Sequence, residues 1–382
     1  MERTSVGLDV HARSVVAAAL DQVSGQVWLE RLRPDNGVVL AWLGRLPGPV
    51  AVAYEAGPTG FGLARALTAA GVRCVVAAPS KLQRPSGDRV KTDARDAQLL
   101  CRLLRLDEIT PVTVPSIEQE SARDLVRARE DCRGDLMRAR HRLSKLLLRH
   151  GHVYAPAGLS DRGQGWTQQH HRWLRQLRRE ADGLGWSAGT RSAFDTGYET
   201  VIMVTARRDR LDAEICGMAA DSQFTPVVQR LGCLRGVSTL TGFGLAVEIG
   251  DWTRFTGKTI GSFVGLTPSE YSSGGSRSQG PIVKTGNSHA RRLLVEAAWQ
   301  HRKPYRPGKT MLDRWKLAPP AAQARGDAGN RRLHRQWDKF AARKKRGTIA
   351  AVAIARELAG WCWSLAVLDD PDDQEVDHEL II

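Results

Sequence analysis

Short apolar runs and longer periodic ones alternate along residues 1–110. Residues 5–10, 14–20 and 26–33 read as three strands joined by short turns, the first turn passing through His11-Ala12-Arg13. A helix is predicted over about 36–46, a strand over 50–55, and a helix over about 60–70 opened by Gly57-Pro58-Thr59-Gly60. A strand over 72–77 and a helix over about 93–106 follow. Three leading strands, then helix, strand, helix, strand and helix, describe an α/β domain with a mixed sheet.

Beyond this domain the period changes. From Ile117 to His150, residues Leu125, Val126, Cys132, Leu136, Leu143, Leu146 and Leu147 recur near helical spacing with arginines between them, which predicts one long helix. A helix of that length packs against a partner helix or another subunit. Residues 190–222 predict a second long helix antiparallel to the first, whereas Gly151 to Gly189, rich in Gly, Gln, His and Trp, supports no assignment. A third region begins near Pro226, where Leu231 to Ser238 precedes Gly242 to Gly250. A short helix, a glycine-bearing turn and another helix there resemble a helix-hairpin-helix, whose glycines let backbone N–H groups approach phosphate oxygens. The longest apolar run, Ile349 to Leu368, is interrupted by Arg356 and Glu357 and reads as a buried helix rather than a membrane span.

Composition narrows the class. A chain of 382 residues supports two or three domains, and 42% hydrophobic with 25% charged residues is ordinary for a folded protein. The six cysteines are scattered without a C-x-x-C pair, which argues against a zinc site or a disulfide framework and for a reducing cytoplasm. No signal peptide is visible at Met1-Glu2-Arg3-Thr4. Charge changes the picture most, because the formal net charge is +15 and is unevenly spread. Between Asn287 and Arg346, 17 Lys or Arg stand against four acids, while residues 369–382 hold seven acids and no Lys or Arg. The basic block predicts a polyanion partner through phosphate contact and counterion release. The acidic tail is predicted to be disordered.

In so basic a chain, four acids near the N-terminus stand out. Asp9 and Glu55 lie near the C-terminal parts of two short apolar strands, and Asp93 and Asp96, three apart, share one face of a helix. Taken singly, Asp9 is a turn former, Glu55 is ambiguous before Gly57-Pro58, and Asp93 is a helix cap. Gathered on one fold, four carboxylates repel and stay partly protonated unless cations join them. That predicts a pair of divalent metals acting on a phosphodiester. The order of elements is that of the ribonuclease H-like fold, whose acids sit at strand ends and on the last helix.

A second candidate is the small-residue loop Tyr271-Ser272-Ser273-Gly274-Gly275-Ser276-Arg277 after Gly265-Leu266-Thr267-Pro268. Alone it is a turn. The sequel, Lys284-Thr285-Gly286-Asn287-Ser288-His289-Ala290-Arg291-Arg292, leads a loop into a basic helix N-terminus suited to holding a phosphate beside a serine. Neither a G-x-G-x-x-G motif nor a phosphate-binding P-loop is present, and the pair His170-His171 lacks a metal-ligand set.

Several segments occur together in order. They are Gly7-Leu8-Asp9-Val10, Tyr54-Glu55-Ala56-Gly57, Lys91-Thr92-Asp93-Ala94-Arg95-Asp96-Ala97, and Gly265-Leu266-Thr267-Pro268 followed by Ser272-Ser273-Gly274. Lys284 to Asn287 with Arg291 to Trp299, Arg331 to His334, and Ala355 to Gly360 extend the series. With them the chain resembles the transposases of the insertion-sequence one-ten family, the DEDD recombinases, over nearly its whole length except 151–189 and the tail. The resemblance implies a RuvC-like domain at 1–110, a helical coiled-coil connector at 111–225, and a mainly α-helical transposase domain at 226–368, with the tail at 369–382. It implies that Asp9, Glu55, Asp93 and Asp96 bind Mg²⁺ or Mn²⁺, and that Ser273, with Ser272 its near competitor, attacks the phosphodiester to hold a DNA end covalently. It also implies donor and target double-stranded DNA, a noncoding bridge RNA as guide, dimers pairing into tetramers, and a bacterial, nucleoid-associated location without membrane. Two alternatives stand beside it: a metal-dependent junction nuclease in which Ser273 is structural, and a non-catalytic nucleic-acid-binding remnant.

Overall fold

The computed structural model describes residues 2–82, 92–154, 165–273 and 276–368, with backbone alone at 272–273 and 276–277. The acidic tail, Lys91 and Gly274 lie outside the described residues. The chain divides into two compact units, Met1–Ile117 and Glu118–Ile382.

The first unit follows the predicted order. Strands β1 (Thr4–Val10), β2 (Val15–Asp21) and β3 (Val27–Leu32) lead into helix α1 (Asn36–Leu43), β4 (Val50–Glu55), α2 (Gly62–Ala69), β5 (Arg73–Ala77) and α3 (Asp93–Arg105). The strands form one mixed sheet in the order β3-β2-β1-β4-β5, with β1–β2 and β2–β3 antiparallel and β1–β4 and β4–β5 parallel. Side chains alternate between its faces. On one face Val6, Leu8, Val15, Val52, Tyr54 and Val76 bury against Val39, Trp42 and Leu67 of α1 and α2. On the other, small residues face α3: Val16 and Ala18 meet Ala97, and Ala51 and Ala53 meet Leu104.

Small side chains let α3 lie close to the sheet, and Gly7 is the point of closest approach. A Cβ there would overlap the Ala97 carbonyl oxygen and crowd Cys101 N and Leu100 Cβ. The buried thiol of Cys101 donates to Ser5 O at 3.0 Å. Gly7→Ala therefore forces α3 off β1. The expected cost is about 1–3 kcal/mol from overpacking alone, read as a lower melting temperature; an unchanged one would mean that α3 adapts freely.

In the second unit the long periodic pattern folds as predicted, as α4 (Ile117–Arg149). Helix α5 (Gln168–Arg179) caps it, and α6 (Ala188–Ala220) returns antiparallel. Val126 meets Ile215, Cys132 donates to Val204 O, and Leu143 touches Gly197. Within the His/Trp-rich stretch the described residues 165–187 cap this hairpin: His170 is buried among Trp166, Trp173 and Tyr154 with ring centroids 4.5–5.4 Å away. Burial drives its imidazole down to about 4, so His170 is a neutral core residue at physiological pH.

The rest of the second unit comprises α7 (Thr225–Leu231), α8 (Thr239–Ile249), α9 (Ile260–Phe263), β6 (Pro268–Ser273), β7 (Ser276–Ile282), α10 (Ser288–Ala298), α11 (Lys309–Trp315), α12 (Pro320–Ala342) and α13 (Gly347–Ala366). Among the described residues α13 is the one helix long and apolar enough to cross a membrane, and Ile354, Leu358, Cys362 and Leu365 place it in the core. The helix-turn-helix at α7–α8 is present, but its glycines serve packing. Gly242 and Gly244 are buried against Val228 and Leu293, and the Gly236 turn (φ 84°) lies on the Ala297 backbone. The expectation of N–H groups free for phosphate is replaced by a closed interior contact. All six cysteines are free.

Candidate active site

The register of the sheet builds the site. Antiparallel pairing sets Asp9 opposite Val16, and Val16 opposite Arg31. Parallel pairing sets Leu8 opposite Tyr54, which puts Glu55 beside Asp9 one step further along. Arg31, Val16, Asp9 and Glu55 thus form one row across four strands, spaced about 4.8 Å from strand to strand. They stand on the face covered by α3, since Val16 packs on Ala94 and Ala97.

Helix α3 runs antiparallel to β1, with Cys101 over Ser5 and Ala97 over Gly7. One more turn brings Asp93 and Asp96, both in the helix's first turn, to the row that holds Asp9. The cap is Thr92, whose hydroxyl accepts from Arg95 N at 3.4 Å, so the capping reading of Asp93 does not hold and its carboxylate faces the site. All four acids are half-buried.

Asp9 and Asp93 converge with a residue that the sequence reading passed over. His11 Nε2 lies 3.1 Å from Asp9 Oδ2 and 3.9 Å from Asp93 Oδ1. One donor atom from each of Asp9, His11 and Asp93 falls within 4.8 Å of the others. Arg31 NH2 reaches Asp93 Oδ2 at 3.4 Å, and its NH1 donates to Ser14 Oγ at 3.2 Å. Burial raises the Asp9 carboxyl above its ordinary value, His11 works against this, and the negative charges of Asp93 and Asp96 add to the rise. A divalent cation relieves that repulsion, and neighbouring carboxylates supply the oxygen donors that a hard divalent ion takes. The residues present fit such an ion.

The serine candidates lie in the second unit. The expected small-residue loop is a β-hairpin: Ser272 pairs with Arg277 and Ser273 with Ser276, so both candidates close strand β6. The base of the hairpin is tied down by Val283 N to Thr267 O (2.9 Å) and Lys284 N to Gly265 O (3.1 Å). From there the chain enters α10, capped by Asn287 through Ala290 N at 2.9 Å. The cations at this helix start are committed to the protein. Arg291 donates to Val264 O and Thr285 O, both at 2.9 Å, and Arg292 pairs with Glu130 and Glu296.

Beneath this segment Glu248, 2% exposed, collects Arg127 at 3.0 and 3.1 Å, Asn287 Nδ2 at 2.7 Å and His289 Nδ1 at 3.1 Å. Burial alone would push its carboxyl up, but the bonds from His289, Arg127 and Asn287 outweigh it and hold it at about 2. One carboxylate thus fastens α4, α8 and the start of α10 together. Nothing local in Val247-Glu248-Ile249 signals this role.

Comparison with known proteins adds the identity. Residues 6–151 match a DEDD group described as transposase, and residues 228–309 match the transposase IS116/IS110/IS902 family. A putative transposase, y4qE, of Sinorhizobium fredii is 35% identical over 367 residues, covering 94% of this chain and 88% of the relative. The transposase for insertion sequence element IS1533 of Leptospira borgpetersenii is 30% identical, covering 89% of this chain and 97% of the relative. A probable family 20 transposase of Pseudomonas aeruginosa is 24% identical over 96% of this chain. A row of carboxylates and a serine-bearing hairpin thus sit in a chain that belongs to the IS110 family of DEDD transposases, the DNA-recombining enzymes of insertion sequences.

Proposed function

We propose that the protein cuts and rejoins DNA strands through a phosphoserine intermediate formed by Ser273, assisted by divalent metal at Asp9, Glu55, Asp93 and Asp96, with a bridge RNA choosing the DNA. The observation that supports the metal half is the approach of Asp9, near the end of β1, to Asp93 in the first turn of α3, with Glu55 at the neighbouring parallel strand end. The mixed sheet order and acids at strand ends support a RuvC-like, ribonuclease H-like reading of the first unit. Mg²⁺ or Mn²⁺ bound there would neutralise charge on the scissile phosphate. Asp9, Glu55, Asp93 and Asp96 would hold it, with His11 and Arg31 balancing Asp9 and Asp93 in its absence.

Ser273 Oγ bonds to phosphorus as the P–O bond to the departing strand breaks, and the serine proton ends on the leaving oxygen. The serine ester conserves bond energy, so rejoining needs no external energy source. The site is shared: tetrad from one subunit, serine from its neighbour, in dimers pairing into tetramers. Base pairing with RNA would supply sequence specificity, and the basic block at 287–346 would grip backbones. Exposed Arg332, Arg335 and Lys339 along α12 fit that role.

The test is the covalent adduct. Full-length protein incubated with element-end DNA is expected to yield a protein–DNA species that survives denaturation and maps to Ser273. Mapping to Ser272 would move the nucleophile by one residue. Cleavage by Ser273→Ala at the wild-type rate would favour the junction nuclease.

A further inference from the structure

We propose that the groove between β3 and the start of α3 is a nucleotide subsite: it seats the deoxyribose next to the scissile phosphate on Leu29 and Val16, and Arg31 grips that nucleotide's own phosphate. This rests on the metal-tetrad reading of the same face. The groove measures about 540 Å³ and is lined by Val16, Leu29, Arg31, Thr92, Asp93 and Ala94, with Glu30 at its rim turned toward Arg45 (3.4 Å).

Three observations meet there. Register places Leu29 opposite Ala18 and Arg31 opposite Val16, so both side chains stand on the α3 face beside the carboxylate row. Leu29, 52% exposed on the edge strand, lines the groove with Val16 and gives it an apolar wall against which the carbon face of a sugar ring can pack. Finally, Arg31 ends the row Arg31, Val16, Asp9, Glu55 and leaves two-thirds of its side chain open to solvent while touching Asp93. Strand-to-strand spacing sets it roughly 10 Å from Asp9 across Val16. Consecutive phosphates of an extended strand are on the order of 6–7 Å apart, so a planar guanidinium reaching inward can take one phosphate while the carboxylate row addresses the next.

A cation beside Asp93 has a plainer role, as the acid's counter-ion alone, and DNA affinity separates the two roles. The full chain, purified with its native nucleic acids, is loaded with Ca²⁺ and mixed with element-end duplex. Arg31→Ala is then expected to lower DNA affinity about tenfold, the loss of one charge-assisted phosphate contact, and to reduce the salt slope by about one. Mn²⁺ affinity without DNA should stay level or rise, because a competing cation has gone. A photo-crosslinking phenylalanine analogue in place of Leu29 is expected to mark DNA within two or so nucleotides of the cleavage point. Unchanged DNA affinity in Arg31→Ala, or crosslinks that fall on RNA, on distant DNA or nowhere, would overturn the subsite. Wild-type protein that fails to bind Mn²⁺ while the crosslink still marks the cleavage point would instead overturn the tetrad and leave the subsite standing.

Discussion

Asp9→Asn is expected to slow DNA strand cleavage about a thousandfold or more, a loss of several kcal/mol of charge stabilisation at the phosphate. The variant should nonetheless fold at least as well as the wild type. Asparagine keeps the shape and still offers an oxygen to His11, while the repulsion from Asp93 and Asp96 disappears. Metal-free protein is therefore expected to melt no lower after the substitution. What it should lose is stabilisation by added Mn²⁺, about 2.7 kcal/mol for the wild type at a hundred times the dissociation constant. Activity loss with an unchanged response to Mn²⁺ would assign Asp9 another role. A mixture of Asp9→Asn and Ser273→Ala subunits carries the argument further. If each site takes its acids from one subunit and its serine from another, mixed oligomers regain some cleavage that neither variant shows alone. No recovery on mixing would place acids and serine in the same subunit.

The placement of the four acids is legible in the sequence, and the reasons are specific. The strands of the first unit are short, apolar and bounded by turns, so their limits agree with the structure to within a residue or two at most ends. That suffices to put Asp9 and Glu55 at adjacent strand ends, and Asp93 and Asp96 in a helix's first turn. Arg31 and His11 were missed for a different reason. Arg31 joins the row only through the β2–β3 register, which no single segment encodes, and His11 belongs to a turn that read only as a connection. The hairpin at Tyr271 to Arg277 offered one usable signal, Gly274-Gly275 between two short runs. Serine-rich flanks with little β-propensity concealed it. The α7–α8 glycines looked like phosphate binders because glycine permits close approach of any partner, and here the partner is the chain's own interior.

Glu248 lies at the other extreme: no motif marks it, and its loss is expected to cost the second unit the most stability of any single change considered. Glu248→Ala would strand His289 and Asn287 without their acceptor and leave Arg127 unpaired. Removing one partner of a buried ion pair typically costs about 3–5 kcal/mol. The lower end is expected, because the Arg127 side chain is 56% exposed and can be rehydrated. The same carboxylate predicts an acid response. Its folded value of about 2 lies below its ordinary 4.5, so its contribution is complete above about 4.5 and is lost as pH falls toward 2. The size is about 3 kcal/mol, and screening takes little from it because the Glu248 side chain is only 1% exposed. Urea unfolding followed by tryptophan fluorescence reads this unit selectively, since of 11 tryptophans only Trp28 and Trp42 lie in the first. At pH 7 the Glu248→Ala transition should fall at lower urea than the wild type's, and near pH 3 the two should approach each other. Parallel curves at both pH values would mean that the bonds to Glu248 are offset elsewhere, and that the α4–α8–α10 junction rests on apolar packing alone.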